Sequence, residues 1–160
     1  MDQVALAPPQ RSDDDMEELQ KALKIAFASE FSFYLKAHNF HWNVTGPFFP
    51  QMHELFGKIY EEVYASIDDF AEKIRTLNTF VPASNSKFSM LSYVHDENSV
   101  PDDADMAREL LEDSDKMVKI LKLCFDIATA KGEDGLANFL AERMDAHRKH
   151  SWMLRSTITP

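Results

Sequence analysis

From residue 13 onward, apolar side chains return every three or four positions. Leu19, Leu23, Ala26, Phe27, Phe31, Tyr34, Ala37 and His38 fall on one stripe, which predicts a helix over 13–43. Ser12 can cap it, and Asp13, Asp14 and Asp15 suit the positive end of a helix dipole. Thr45-Gly46-Pro47 interrupts the pattern. It resumes with Met52, Leu55, Phe56, Ile59, Tyr60, Val63, Ile67, Phe70, Ile74 and Leu77, predicting a second helix over 50–78. A break at 78–82 opens a long connection, with a short helix expected over Ser86 to Tyr93 and loop over His95 to Asp103. A third helix is expected over 102–130, carrying Leu110, Leu111, Met117, Val118, Ile120, Leu121 and Phe125. After Gly132 a fourth is expected over 134–157, carrying Leu136, Phe139, Leu140, Met144, Trp152 and Leu154. Residues 1–11 show no period and are expected to form a flexible arm, ahead of one domain over 12–158. Four long helices with a long middle connection, about 79–101, predict an all-α bundle of the one-crossover, ferritin-like topology, with a short helix in the crossover.

Composition narrows the function classes. With 160 residues the chain fits one domain with a sizeable core. It carries 27 acidic against 17 basic residues, a net charge of −10, so bulk attraction to nucleic acid is excluded and attraction of cations is favoured. The single cysteine, Cys124, excludes an intrachain disulfide framework and reads as a buried apolar residue. The first ten residues lack a basic start and an apolar run, so no signal peptide is expected. No long apolar stretch predicts a membrane span, and a soluble cytoplasmic protein is the expectation.

The metal-ligating residue types cluster in the first half. His38 and His41 end the first helix, His53 begins the second, and Asp68 and Glu72 lie one turn apart further along it. Imidazoles with carboxylates suit iron, manganese or zinc better than calcium or magnesium alone. Reach decides how they combine. His53 and Asp68 are separated by 15 positions on one helix, so they lie about 22 Å apart with an angular offset of about 60°. Ligands of one ion sit about 2.0–2.2 Å from it, so these two cannot share an ion within one chain. A second copy, antiparallel across a two-fold axis, would bring its Asp68 and Glu72 beside His41 and His53, giving two equivalent sites for one interface. The sequence contains no Glu-x-x-His, so an intrachain di-iron centre is not supported.

These residues also carry a resemblance. His38-Asn39-Phe40-His41-Trp42-Asn43-Val44-Thr45-Gly46, then Phe48-Phe49, His53-Glu54, and Asp68 with Ala71-Glu72 are similar to the Dps family, the miniferritins. Glu142-Arg143-Met144-Asp145-Ala146-His147 and Trp152-Met153-Leu154-Arg155 extend the likeness, so that it covers roughly 17–157. The resemblance implies a dodecameric shell that oxidises Fe(II), often with hydrogen peroxide rather than oxygen, stores ferric mineral and protects DNA. It implies iron, mononuclear or di-nuclear, held by His41 and His53 of one subunit and Asp68 and Glu72 of its partner. Many members place a further acid where Gly57 stands, so the second iron position is expected to be weak, with Glu54 or Glu61 as substitutes. Glu133 and Asp134 match the region of acids near the family's three-fold pores. Among residues 1–20 Arg11 is the one cation against six acids, which argues against direct DNA binding through a basic arm.

Other residues have plainer readings. His38 is read as structural before second-layer, His95 as solvated, and His147 and His150 as structural. Trp42, Tyr60 and Tyr64 are read as filling interface and core before donating electrons to stray oxidants. Phe48 and Phe49 are read as anchors of the turn between the first two helices. Ile67, Phe70 and Ala71 suggest that the Asp68–Glu72 face is partly covered. Two competing functions remain at this level: a non-enzymatic DNA-compacting or structural shell with a weak metal site, and a helical interaction module with structural histidines.

Overall fold

A computed structural model describes residues 13–160, with side chains from Met16 onward. The expected arm over 1–11 and the Ser12 cap lie outside the described residues. The chain forms α1 (Asp13–Asn43), α2 (Phe49–Arg75), α3 (Asn85–Leu91), α4 (Asp103–Ala130) and α5 (Asp134–Ile158), with no strand among the described residues. α1 packs against α2, α3 and α4, and α4 packs against α5. The long crossover between α2 and α4 is the one expected of the one-crossover topology, and it holds the short helix α3.

The ends follow local chemistry. Gly46 (φ +118°) turns the chain between α1 and α2, and Gly132 (φ +70°) does so between α4 and α5; both are conformations that L side chains rarely adopt. Pro50 sits in the first turn of α2, where its missing N–H costs nothing. Ser84 caps α3 by accepting from the Lys87 N–H, and Asp102 caps α4 by accepting from the Asp105 N–H. The second helix stops at Arg75 rather than 78, because Asn78 takes a left-handed conformation (φ 58°) that ends the ladder. Likewise α3 ends at Leu91, where the Ser92 hydroxyl turns to donate to the Val94 carbonyl.

One continuous core joins the long helices. Phe33, Phe40, Phe56, Phe70, Leu23, Ile59, Leu110, Met117 and Leu121 are fully buried. Phe27 meets Phe70 edge to face at 5.7 Å, and Phe31 stacks on Phe88 of α3 at 4.4 Å, which ties the crossover down. Lys36 of α1 pairs with Asp113 of α4 at 2.6 Å, both buried. Cys124 is fully buried, and burial pushes its thiol up to about 12, so it behaves as the small apolar residue expected.

Candidate metal centre

α1 and α2 meet at the turn around Gly46, which sets the last turn of one beside the first turns of the other. His41 and His53 come from those turns, and their rings stack with centroids 3.8 Å apart and planes 20° apart. Each ring binds the other's backbone: His41 Nδ1 lies 2.7 Å from the His53 carbonyl oxygen, and His53 Nδ1 lies 2.7 Å from the His41 carbonyl oxygen. A carbonyl can only accept, so both Nδ1 atoms carry hydrogen and donate. With Nδ1 engaged in this way, Nε2 is the nitrogen each ring has left to offer a metal. This is how proteins prepare imidazoles for a metal, fixing tautomer and ring orientation through the nitrogen that does not bind it.

Gly57 completes this arrangement. It is buried inside α2, where glycine costs about 1 kcal/mol relative to alanine. A Cβ at this position would stand 3.1 Å from His41 Nδ1 and 3.2 Å from its Cε1. The family resemblance marks Gly57 as a missing acid; the structure shows it as the space in which the His41 ring lies. Gly57→Ala is expected to push that ring aside, break its bond to the His53 carbonyl and weaken metal binding about tenfold, the size of effect seen when the support of a ligating histidine is lost. Isothermal titration with Co(II) checks this, and unchanged affinity would show that the ring accommodates the methyl group.

His38 does not hydrogen-bond to either imidazole. Its ring lies between Trp42 (3.7 Å) and Tyr60 (3.8 Å), and its Nδ1 is 3.2 Å from the Tyr34 hydroxyl. Tyr60 is half-buried, whereas Trp42 and Tyr64 are 61% and 60% exposed within the chain. Phe49 stacks on His53 at 5.1 Å. Phe48 is 62% exposed within the chain, so Val44 and Met52 are the residues buried beside this turn. His95 is exposed in its loop.

Asp68 and Glu72 are both exposed, and no hydrogen bond or ion pair holds their side chains among the described residues. The expectation that Ile67, Phe70 and Ala71 cover this face is corrected: Phe70 points into the core, about 200° around the helix from Asp68, and Ile67 and Ala71 stay half-buried on its flank. Within one chain, no three His, Cys, Asp or Glu side chains among the described residues converge as an ion requires. The imidazole pair and the carboxylate pair thus lie apart within one chain. Glu54, named above as a substitute acid, pairs with Lys58 on its own helix at 2.7 Å. Glu61 accepts from the Tyr60 hydroxyl at 3.4 Å.

A second polar cluster was not legible in the sequence. Glu30 of α1 is fully buried and accepts from Arg143 Nη2 (2.6 Å), Arg143 Nε (3.0 Å) and His147 Nε2 (2.7 Å), both partners on α5. Arg143 also donates to Glu62 of α2, from Nη1 at 2.5 Å and Nη2 at 3.1 Å, and His150 Nε2 lies 3.3 Å from the same carboxylate. Burial alone would raise the Glu30 carboxyl, but His147 and Arg143 outweigh it and bring the group down to about 2. Burial, reinforced by the His147 and Arg143 charges, pushes His150 down to about 3. The structural role expected for His147 and His150 is what the fold shows, although both are buried rather than at the surface.

Comparison with known proteins agrees with this architecture. Residues 20–159 match the ferritin-like domain family. The chain is 30% identical over 125 residues to the DNA protection during starvation protein of Brevibacillus brevis, covering 78% of this chain and 84% of that one. It is 30% identical over 143 residues to general stress protein 20U of Bacillus subtilis, covering 89% of this chain and 98% of that one. The crystal structure of Dps from Thermosynechococcus elongatus superposes with a TM-score of 0.89 at 25% identity, over 92% of this chain and 94% of that one. Five helices in this order among the described residues, a sequence match that spans nearly all of them and a Dps structure of the same shape together place the chain in the ferritin-like family, in its Dps branch.

Proposed function

We propose that this protein is a ferroxidase and iron store, which takes up Fe(II) at sites shared between two subunits, oxidises it with hydrogen peroxide, and keeps the ferric product inside a hollow oligomer of dodecameric type. Iron is substrate and cargo here. The single observation that carries the reading is the reciprocal pairing of His41 and His53, which leaves two stacked imidazoles with Nε2 free to bind. Asp68 and Glu72 supply the complementary half, being exposed, unpaired and out of reach of the same chain's imidazoles.

The division of labour follows from donor chemistry. Imidazole nitrogens hold Fe(II) with modest affinity, while carboxylates favour the harder, more highly charged Fe(III). Each Fe(II) gives up one electron; a pair reduces one hydrogen peroxide to water, with protons drawn from solvent. The net charge of −10 attracts the incoming cations. Consuming ferrous iron and peroxide together removes the reagents of hydroxyl-radical chemistry, which gives the protein a protective role like that named in its relatives. The exposed rings of Trp42 and Tyr64 on the α1–α2 face fit a surface that a second copy covers.

Replacing His41 and His53 together with alanine is expected to reduce peroxide-dependent Fe(II) oxidation, followed by stopped-flow absorbance, to the rate of iron free in solution. Mass by light scattering should stay that of the parent oligomer, since both rings lie at helix ends outside the core. Unchanged rates in the double variant would refute the site.

A further inference from the structure

We propose that Arg143 is the bundle's built-in cation: it fills a core donor set that would otherwise take a divalent metal ion, and so keeps metal out of the centre of the fold. The inference stands apart from the His41–His53 reading, because it concerns other residues at another level of the bundle.

The donors come from three helices. Glu30 (α1), Glu62 (α2), His147 and His150 (α5) bring two carboxylates and two imidazoles to one place. Such mixed oxygen and nitrogen sets suit iron, cobalt, manganese or zinc, and ferritin-like bundles build metal centres from inward side chains on facing helices. Here the space between the carboxylates holds a guanidinium. Arg143 Nη2 stands 2.6 Å from Glu30 and 3.1 Å from Glu62, so one nitrogen bridges both carboxylates as an ion would.

Electrostatics makes some cation obligatory. Glu30 is fully exposed to no solvent at all, and a buried carboxylate without a positive partner is strongly destabilising. Arg143 meets that demand permanently, since a guanidinium does not lose its proton. It is also wider than an ion. Metal ligands must close to about 2.0–2.2 Å, and with the guanidinium between them the four donors do not converge, which is why no ion-sized cluster exists among the described residues. One donor is left over: His150 Nδ1 is buried without a hydrogen-bond partner. Access is not what keeps metal away. A groove of about 430 Å³ lined by Lys58, Glu62, Glu142, Asp145, Lys149 and His150 opens onto the cluster, and Glu62 is 39% exposed.

The test uses Co(II) in the full-length H41A/H53A protein, which lacks the paired imidazoles of the α1–α2 turn, and reads the change relative to this parent, which shares His38 and His95 with every variant. Adding Arg143→Ala should create one Co(II) site per chain, with visible d–d bands and an affinity roughly tenfold or more above that of the Arg143 parent. The melting temperature lost with Arg143 should be partly restored by saturating Co(II), as ligand linkage requires. Both effects should vanish when Glu30→Gln or His147→Ala is added, and Arg143→Lys, which keeps a cation, should bind no Co(II). Should R143A not fold in metal-free buffer, recovery of helical dichroism on refolding with Co(II), but not with Mg(II), supports the proposal equally. No gain in Co(II) affinity, a gain that survives Glu30→Gln, or an R143A chain that stays unfolded with Co(II) while R143K folds, would overturn it.

Discussion

Glu30→Ala is expected to cost the fold about 3–5 kcal/mol, more than any surface substitution in the molecule. The size follows from what the change leaves behind. Arg143 loses two of its four contacts, those from Nε and Nη2 to Glu30, and His147 loses its Nε2 partner. Both side chains stay buried, at 5% and 0% exposure, with polar groups that water cannot reach. Removing the partner of a buried charge therefore costs far more than the net worth of the pair. For a chain of this length the loss corresponds to a fall in melting temperature on the order of 10 °C, which differential scanning calorimetry reads directly. Glu30→Gln should lose less, because its amide oxygen still accepts from the guanidinium. A Glu30→Ala melt within a degree or two of the parent would mean that water or a rotated Glu62 satisfies the cluster.

Acid should unfold the protein in two stages set by the same cluster. His150 is held at about 3, below the ordinary histidine value of 6.5. The unfolded chain therefore binds a proton that the folded chain refuses, and stability falls as pH drops from about 6.5 toward 3. Fully expressed, a shift of this size is worth on the order of 4–5 kcal/mol. Glu30 works in the same direction lower down: its carboxyl is held at about 2 against an ordinary 4.5, so its contribution is complete above 4.5 and is lost as pH falls through 2. Helical dichroism followed against pH should show a melting temperature that begins to fall just below neutrality. His150→Phe removes the first stage and keeps the ring contact with Phe33, which stacks on His150 at 6.3 Å. The variant should lose most of the slope between pH 6.5 and 4.5, keeping only the smaller part that His38, also held below its ordinary value by burial, contributes; a parent-like slope there would place the acid sensitivity elsewhere.

The helices and their order were legible because the evidence for them is local. Apolar residues at three- and four-residue steps, Gly46 and Gly132 at the turns, and Pro50 at a helix start each act within a few residues. That the His41–His53 pair lies far from Asp68 and Glu72 within one chain was legible for a related reason: a helix has a fixed rise, so spacing along it is distance. The Glu30–Arg143 pair was not, because its members lie 113 residues apart and a lone charge inside a helical pattern reads as solvated surface. The role of Gly57 was hidden in the same way. A sequence shows that a side chain is absent, but only the packing shows that the His41 ring of another helix uses the space. The Asp68–Glu72 face was misjudged because Phe70 is near in sequence yet on the opposite side of α2.

The central claim is that one chain supplies the imidazoles and another the carboxylates. Co-assembly of an H41A/H53A chain with a D68A/E72A chain tests it most directly. Each variant alone should be inactive in Fe(II) oxidation. Mixed at equal amounts before assembly, half of the two-fold pairs are heterogeneous and each of these regains one intact site, so the rate should return to about a quarter of the parent value. A mixture as inactive as its parts would contradict a shared site.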